Sequence, residues 1–288
     1  RMAKEAVVDK IKTRIAIKEE LYRELLAELG ATFLLVFIGC CNSVQFVLSR
    51  QALNTWIQVN LGWGFAITFS AYTAARTSGA HMNPAVSMLL FCFGRLPLKK
   101  LVLYSLAQTI GAFFGAAATY FFYQPLFDHF DGGVREIAGV NGTAGIFASY
   151  PGPHLGFWGP YVDQIVGTGM LCFFICLIVD EKNEIPQHIA PVLIGAVVMM
   201  IGMSFGANLG YPINPARDLG PRLFSVFVYG AGVFDHPYPY YWLAPIIGPL
   251  LGAPLAGWIY QVIFGAHLPD PRPIYRMVDA KDIKVISQ

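Results

Sequence analysis

Apolar residues fall in long blocks along this chain. Six blocks, near 27–48, 56–76, 101–123, 159–179, 189–206 and 240–264, are bounded by charges or by Gly/Pro-rich loops. Each has about the 20 residues a helix needs to cross a roughly 30 Å hydrocarbon core, so six transmembrane helices are predicted. Two further apolar runs, about 83–94 and 214–227, are too short to span and predict re-entrant or buried half-helices. Both open on one triplet: HMNPAVS holds Asn83-Pro84-Ala85 and YPINPARD holds Asn214-Pro215-Ala216.

Composition agrees with a membrane protein. The chain is 55% hydrophobic and 13% charged, against about 45–50% and about 25% in soluble domains. Its five cysteines, at 40, 41, 92, 172 and 176, all lie in apolar runs and read as packed thiols rather than a disulfide framework. The first 25 or so residues carry both signs of charge and predict a cytosolic amphipathic lead-in helix, not a signal peptide. With the N-terminus cytosolic, six spans place fifteen Lys/Arg inside: seven in the N-terminal segment, then Arg95, Lys99, Lys100, Lys182, Arg272, Arg276, Lys281 and Lys284. Only Arg50 and Arg135 fall in the opposite loops, the asymmetry of the positive-inside rule. The sequon Asn141-Gly142-Thr143 then lies in a long outer loop, where Asn141 can accept N-glycan.

The two halves repeat. AELGATFLLVF opens the first span and DQIVGTGMLCFF the fourth, pairing Glu28 with Gln164 and Thr32 with Thr168. Each half reads span, span, half-span, span, so three full crossings turn the second copy upside down. In such inverted repeats, sites and pathways lie at the repeat interface near the midplane. Proline suits the first helical position and asparagine is among the best N-caps. Asn83-Pro84 and Asn214-Pro215 therefore start helices inside the membrane, both aimed at one midplane. Non-helical backbone at that depth is tolerated only where it is buried in protein or lines a cavity.

SGAHMNPAV, NPARDLGPR, the early Glu28 and the Gly-rich spans together resemble the aquaporins, the major intrinsic protein family, over about residues 22 to 266. The resemblance implies an all-α, right-handed bundle of six helices plus two re-entrant half-helices, one pore per subunit and a homotetramer. Asn83 and Asn214 are expected to donate to a permeating molecule, while the two positive helix ends exclude cations and protons. Asp218 after Arg217, Arg222, Pro245-Ile246 and the long outer loop resemble the glycerol-conducting branch, the aquaglyceroporins. Motif register assigns the outer filter to Trp63, Gly202, Tyr211 and Arg217. Gly202 stands where water-specific members carry histidine, and is expected to leave that space empty for a polyol chain. Taken alone, Trp63 and Tyr211 could be interfacial aromatics and Gly202 a helix-packing residue; an intramembrane Arg217 instead points to a cavity.

Supporting roles follow. Glu28 and Gln164 are expected to bond free backbone groups of the re-entrant loops, and Asp218 and Arg222 to brace the outer loop without touching solute. His81 is expected to be a packed spacer, with a pH-sensitive gate as the alternative. Residues 1–24 read as a cytosolic segment, 25–266 as the channel domain with repeats at about 25–125 and 159–266, and 267–288 as a cytosolic tail carrying Tyr275 and Ser287. The expected partners are water, glycerol and the bilayer, with no nucleic acid, no cofactor and no metal, in a plasma-membrane protein. A secondary transporter also fits an inverted repeat, but no Asp/Glu/His relay joins Glu28 to Arg217. No Walker loop, zinc-type Cys/His spacing or Gly-x-Ser-x-Gly element supports an enzyme.

Overall fold

A computed structural model of the chain describes residues 7–271 and, by backbone alone, 274–275 and 285–286. Arg1, Lys4, Arg272, Arg276, Lys281, Lys284, Ser287 and the side chain of Tyr275 lie outside the described residues.

A short exposed helix, α1 (Val7–Ile15), precedes the bundle. The first half then comprises α2 (Glu20–Leu48), α3 (Trp56–Ser78), the half-helix α4 (Pro84–Cys92) and α5 (Leu98–Asp131). The second comprises α6 (Gly159–Val179), α7 (Ala190–Phe205), the half-helix α8 (Pro215–Tyr229) and α9 (Ala244–Ile263). Among the described residues of the tail, Ile274–Tyr275 pairs antiparallel with Val285–Ile286.

Five stretches are long and apolar enough to cross a bilayer: Glu20–Leu48, Leu98–Asp131, Gly159–Val179, Gln187–Phe205 and Tyr241–His267. The sixth predicted span, α3, has 23 residues and so the length to cross, but it carries Asn60, Thr68 and Ser70 among its buried positions. These three face protein, while Phe65 and Phe69 are exposed. With 9 and 15 residues, α4 and α8 rise about 14 and about 22 Å, short of the hydrocarbon thickness.

The third full helix outlasts its apolar block: α5 continues to Asp131. Its added turns are held by Arg135, which pairs with Asp128 and, at 2.5 Å, with Asp131.

Packing repeats between the halves. α2 packs on α3 and α5, and α6 on α7 and α9. α3 meets α7 across the repeat interface, and each half-helix also packs on the last helix of the other half, α4 on α9 and α8 on α5. Small residues permit the closest crossings. A Cβ on Gly111 or Gly115 of α5 would strike the α2 backbone, and one on Gly252 of α9 would strike Ile165 of α6. On Gly248 it would meet Gln164 Cβ at 2.6 Å. Each half therefore uses a Gly-x-x-x-Gly pair to seat its third full helix on its first.

Candidate functional site

The two re-entrant loops meet at a narrow cavity of about 50 Å³. Leu35, Ile67, Leu171 and Val198 form apolar walls, and Trp63, Asn83, residues 210–214 and Arg217 complete the lining. Short-range chemistry places the asparagines. Asn83 Oδ1 accepts from the Ala85 N–H at 2.9 Å, and Asn214 Oδ1 from Ala216 and Arg217 N–H at 3.0 and 3.2 Å. Each caps its half-helix, with proline at the first helical position.

The two loops also lock each other. Asn83 Nδ2 donates to the Ile213 carbonyl at 2.9 Å, and Asn214 Nδ2 to the Met82 carbonyl at 2.8 Å. One amide hydrogen of each asparagine is thus spent on the opposite loop, leaving one for the cavity. Both loops hold left-handed, non-glycine backbone at matching positions. Ala80 (φ 53°) and Met82 (φ 49°) precede Asn83 by three and one residues, as Tyr211 (φ 49°) and Ile213 (φ 41°) precede Asn214.

Glu28 and Gln164 hold these loops unequally. The buried Glu28 carboxylate accepts from Ser78 Oγ (2.5 Å), His81 N–H (2.9 Å), Met82 N–H (2.7 Å) and Gln108 Nε2 (2.8 Å). Gln164 Oε1 accepts one bond, from Ile213 N–H at 2.9 Å, while its Nε2 donates to Asp163 at 3.0 Å. Asp163 accepts in turn from Asn208 Nδ2 at 2.7 Å, which ties α6 to the turn after α7. His81 Nδ1 lies 2.9 Å from Ser87 Oγ, and its ring meets Tyr104 edge-on at 5.2 Å.

Above the asparagines, Arg217 lies over the Trp63 ring at 4.3 Å and donates to the Phe147 carbonyl at 2.6 Å. The indole N–H of Trp63 is anchored on Ser43 Oγ at 3.3 Å. Arg217 has five N–H donors in all, and no other bond from its guanidinium is found among the described residues, which leaves donors for the cavity.

Gly202 differs from expectation. It is absent from the lining, and its space is filled rather than empty: a Cβ there would collide with Asn60 Oδ1 and lie 2.5 Å from Tyr211 Cζ. The missing side chain lets the Tyr211 ring stand back into the wall. Sequence spacing identified the vacancy but not its occupant, which arrives from another segment.

Asp218 and Arg222 sit outside the cavity lining, with side chains 1% and 0% exposed. Arg222 donates to Asp218 Oδ1 at 2.9 and 3.1 Å, to the Ser149 carbonyl at 2.6 Å and to the Val233 carbonyl at 2.8 Å. Asp218 Oδ2 accepts from Ser149 N–H and Oγ at 2.7 and 2.6 Å. This pair fastens the outer loop, so that Phe147 presents its carbonyl to Arg217. Asn141 is partly buried beside Arg50, while Thr143 is buried and bonded to the Tyr229 hydroxyl at 2.9 Å.

Sequence reasoning missed Ser43, Gln108, Phe147, Ser149 and Asp163. Gln108, an uncharged polar residue in the middle of a span, was a usable signal. Phe147 acts through its carbonyl, which any residue would supply.

Residues 16–260 match the major intrinsic protein family. The chain is 38% identical to Aquaporin-9 of Homo sapiens over 273 residues, covering 94% of this chain and 92% of that one. It is 37% identical to Aquaporin-10 of Homo sapiens over 270 residues, covering 93% and 89%. The X-ray structure of the aquaglyceroporin from Plasmodium falciparum superposes with a TM-score of 0.77 at 29% identity, covering 86% of this chain and 98% of that one.

Proposed function

The chain belongs to the major intrinsic protein family, and from that premise we propose that it is a passive transmembrane channel for water and glycerol that excludes ions and protons. The observation that carries this reading is the convergence of two asparagine-capped half-helix starts and one arginine on a single apolar-walled cavity.

A permeating hydroxyl or water oxygen accepts from the free amide hydrogens of Asn83 and Asn214 and from Arg217. Glycerol lays its carbon chain against Trp63 and Tyr211 while its hydroxyls turn to Arg217. The two helix N-termini, each equivalent to about half a positive charge, repel cations at the midplane. They also orient a central water so that it cannot pass a proton along the file.

The protein is a multi-pass membrane protein. We place both termini in the cytosol on the positive-inside distribution of Lys and Arg, assign the protein to the plasma membrane, and read residues 25–266 as one channel domain working in a homotetramer. An N-glycan on Asn141 must be added before the outer loop closes, because Thr143 is buried once it has; an endoglycosidase shift would report both glycan and topology. Native mass spectrometry tests the tetramer. The decisive test of function is stopped-flow flux into proteoliposomes. Glycerol and water entry should be linear in gradient and independent of sodium or pH gradients, with no current in planar bilayers. Saturable, ion-coupled entry would make the protein a carrier instead.

A further inference from the structure

We propose that Asn60 is a specificity-determining residue of the filter, acting as a positioning group through the Tyr211 hydroxyl. The proposal rests on the water-and-glycerol reading above.

Asn60 is fully buried on α3, yet neither atom of its carboxamide has a hydrogen-bond partner among the described residues. The Tyr211 hydroxyl is buried and unpartnered in the same way. Both groups converge on Gly202, where a Cβ would strike the Asn60 oxygen and lie 2.5 Å from the carbon bearing the Tyr211 hydroxyl. The ring itself is slotted between α3 and α7. Trp56 meets it edge-on at 6.0 Å, and a Cβ on Gly206 would lie 2.5 Å from Trp56 Cζ2 and 3.1 Å from Tyr211 Cδ1. Gly202 on α7 and Gly206 just past its end, four apart, thus face Asn60 and Trp56 on α3, also four apart, with the Tyr211 ring beside them. The ring borders the cavity, but its hydroxyl is sealed in the wall, and Asn60 does not reach the lumen.

An unbonded carboxamide buried at a helix contact is costly, and leucine would fill the same volume without that cost. The complement lies beside it: a phenol can donate to Oδ1 or accept from Nδ2. The two groups make no direct bond, so the link closes through one bridging water. That bridge holds the hydroxyl inside the wall, so that Tyr211 shows the lumen only carbon. Remove the partner, and the hydroxyl is better satisfied by turning toward permeating water, which narrows the passage facing Trp63. Glycerol, which must fit its carbon chain there, suffers more than water.

The test is the ratio of glycerol to water permeability in proteoliposomes. Asn60→Leu should lower that ratio about tenfold, the effect of one lost buried hydrogen bond, with water flux changed less than about threefold. Adding Tyr211→Phe, which deletes the hydroxyl, should return the ratio to that of Tyr211→Phe alone. Should Asn60→Leu fail to assemble, Asn60→Thr and Asn60→Val differ only by hydroxyl against methyl. Thr should keep the higher ratio. An unchanged ratio in Asn60→Leu, equal losses with and without Tyr211→Phe, or matching Thr and Val variants would overturn the proposal while leaving the channel reading intact. A wild-type protein that passes neither solute would remove the channel reading and this proposal together.

Discussion

The two re-entrant loops have one backbone shape and two different supports. Each places non-glycine residues in left-handed conformation three and one positions before its asparagine, an arrangement that costs about 1–3 kcal/mol per residue unless its surroundings enforce it. In the first loop a buried carboxylate, Glu28, gathers four donors. In the second, Gln164 receives one. The reason lies one residue away: the position held by His81 is Pro212 in the second loop, and proline has no N–H to offer. A second carboxylate would face too few donors and would sit beside Asp163. The half-helices diverge in the same manner. Four residues after each asparagine stand Ser87, joined to His81 and Gln108, and Asp218, joined to Arg222 and Ser149. The repeat preserves backbone geometry while each half solves its own hydrogen-bond accounting. The first re-entrant loop rests on one buried acid and the second on one amide, while a buried ion pair behind the second half-helix holds the Ser149 segment.

Breaking the supports one at a time should reproduce that inequality. Glu28→Leu strands the His81 and Met82 N–H groups and the Gln108 amide at about 1–3 kcal/mol each, so detergent-purified protein should show no cooperative thermal unfolding. Arg222→Met leaves Asp218 buried without its cation, and the outer loop should lose about 3–5 kcal/mol, with the unfolding midpoint lowered and the loop opened to protease. Gln164→Leu strands one backbone donor, the Ile213 N–H, and takes one donor from the half-buried Asp163 carboxylate; it should cost about 1–3 kcal/mol, leaving a folded, conducting channel. Should Gln164→Leu prove as damaging as Glu28→Leu, the asymmetry is wrong. The smallest effect is expected at His81, packed between Ser87 and Tyr104. Permeability should vary less than about twofold between about pH 5.5 and about pH 7.5, and His81→Ala should leave the profile flat. A steep profile abolished by the alanine would make His81 a gate.

Which features could be read from sequence follows from how local their causes are. Asn83-Pro84 and Asn214-Pro215 cap helices through atoms two or three residues away, so their role was legible in the motif itself. The spans were legible as apolar blocks, and α3 too, although its buried Asn60, Thr68 and Ser70 dilute the apolar signal. Gly111-x-x-x-Gly115 and Gly248-x-x-x-Gly252 are equally visible in the sequence. Gly202 was found by register and misjudged in consequence, because its neighbours Asn60 and Tyr211 come from other segments. Phe147 left no trace at all, since a backbone carbonyl has no residue type. The end of α5 was missed because Arg135, the residue that holds it, lies beyond the apolar block.

The filter is the point on which the functional account depends, and Gly202→His tests it most directly. The imidazole has to displace the Tyr211 ring from its slot toward the cavity. With wild type and variant reconstituted side by side and both permeabilities taken by stopped flow, the wild type should pass water and glycerol, and the histidine should suppress glycerol far more than water. Equal loss of both solutes in folded protein, or glycerol flux unchanged, would contradict the assignment of Trp63, Gly202, Tyr211 and Arg217 as the filter.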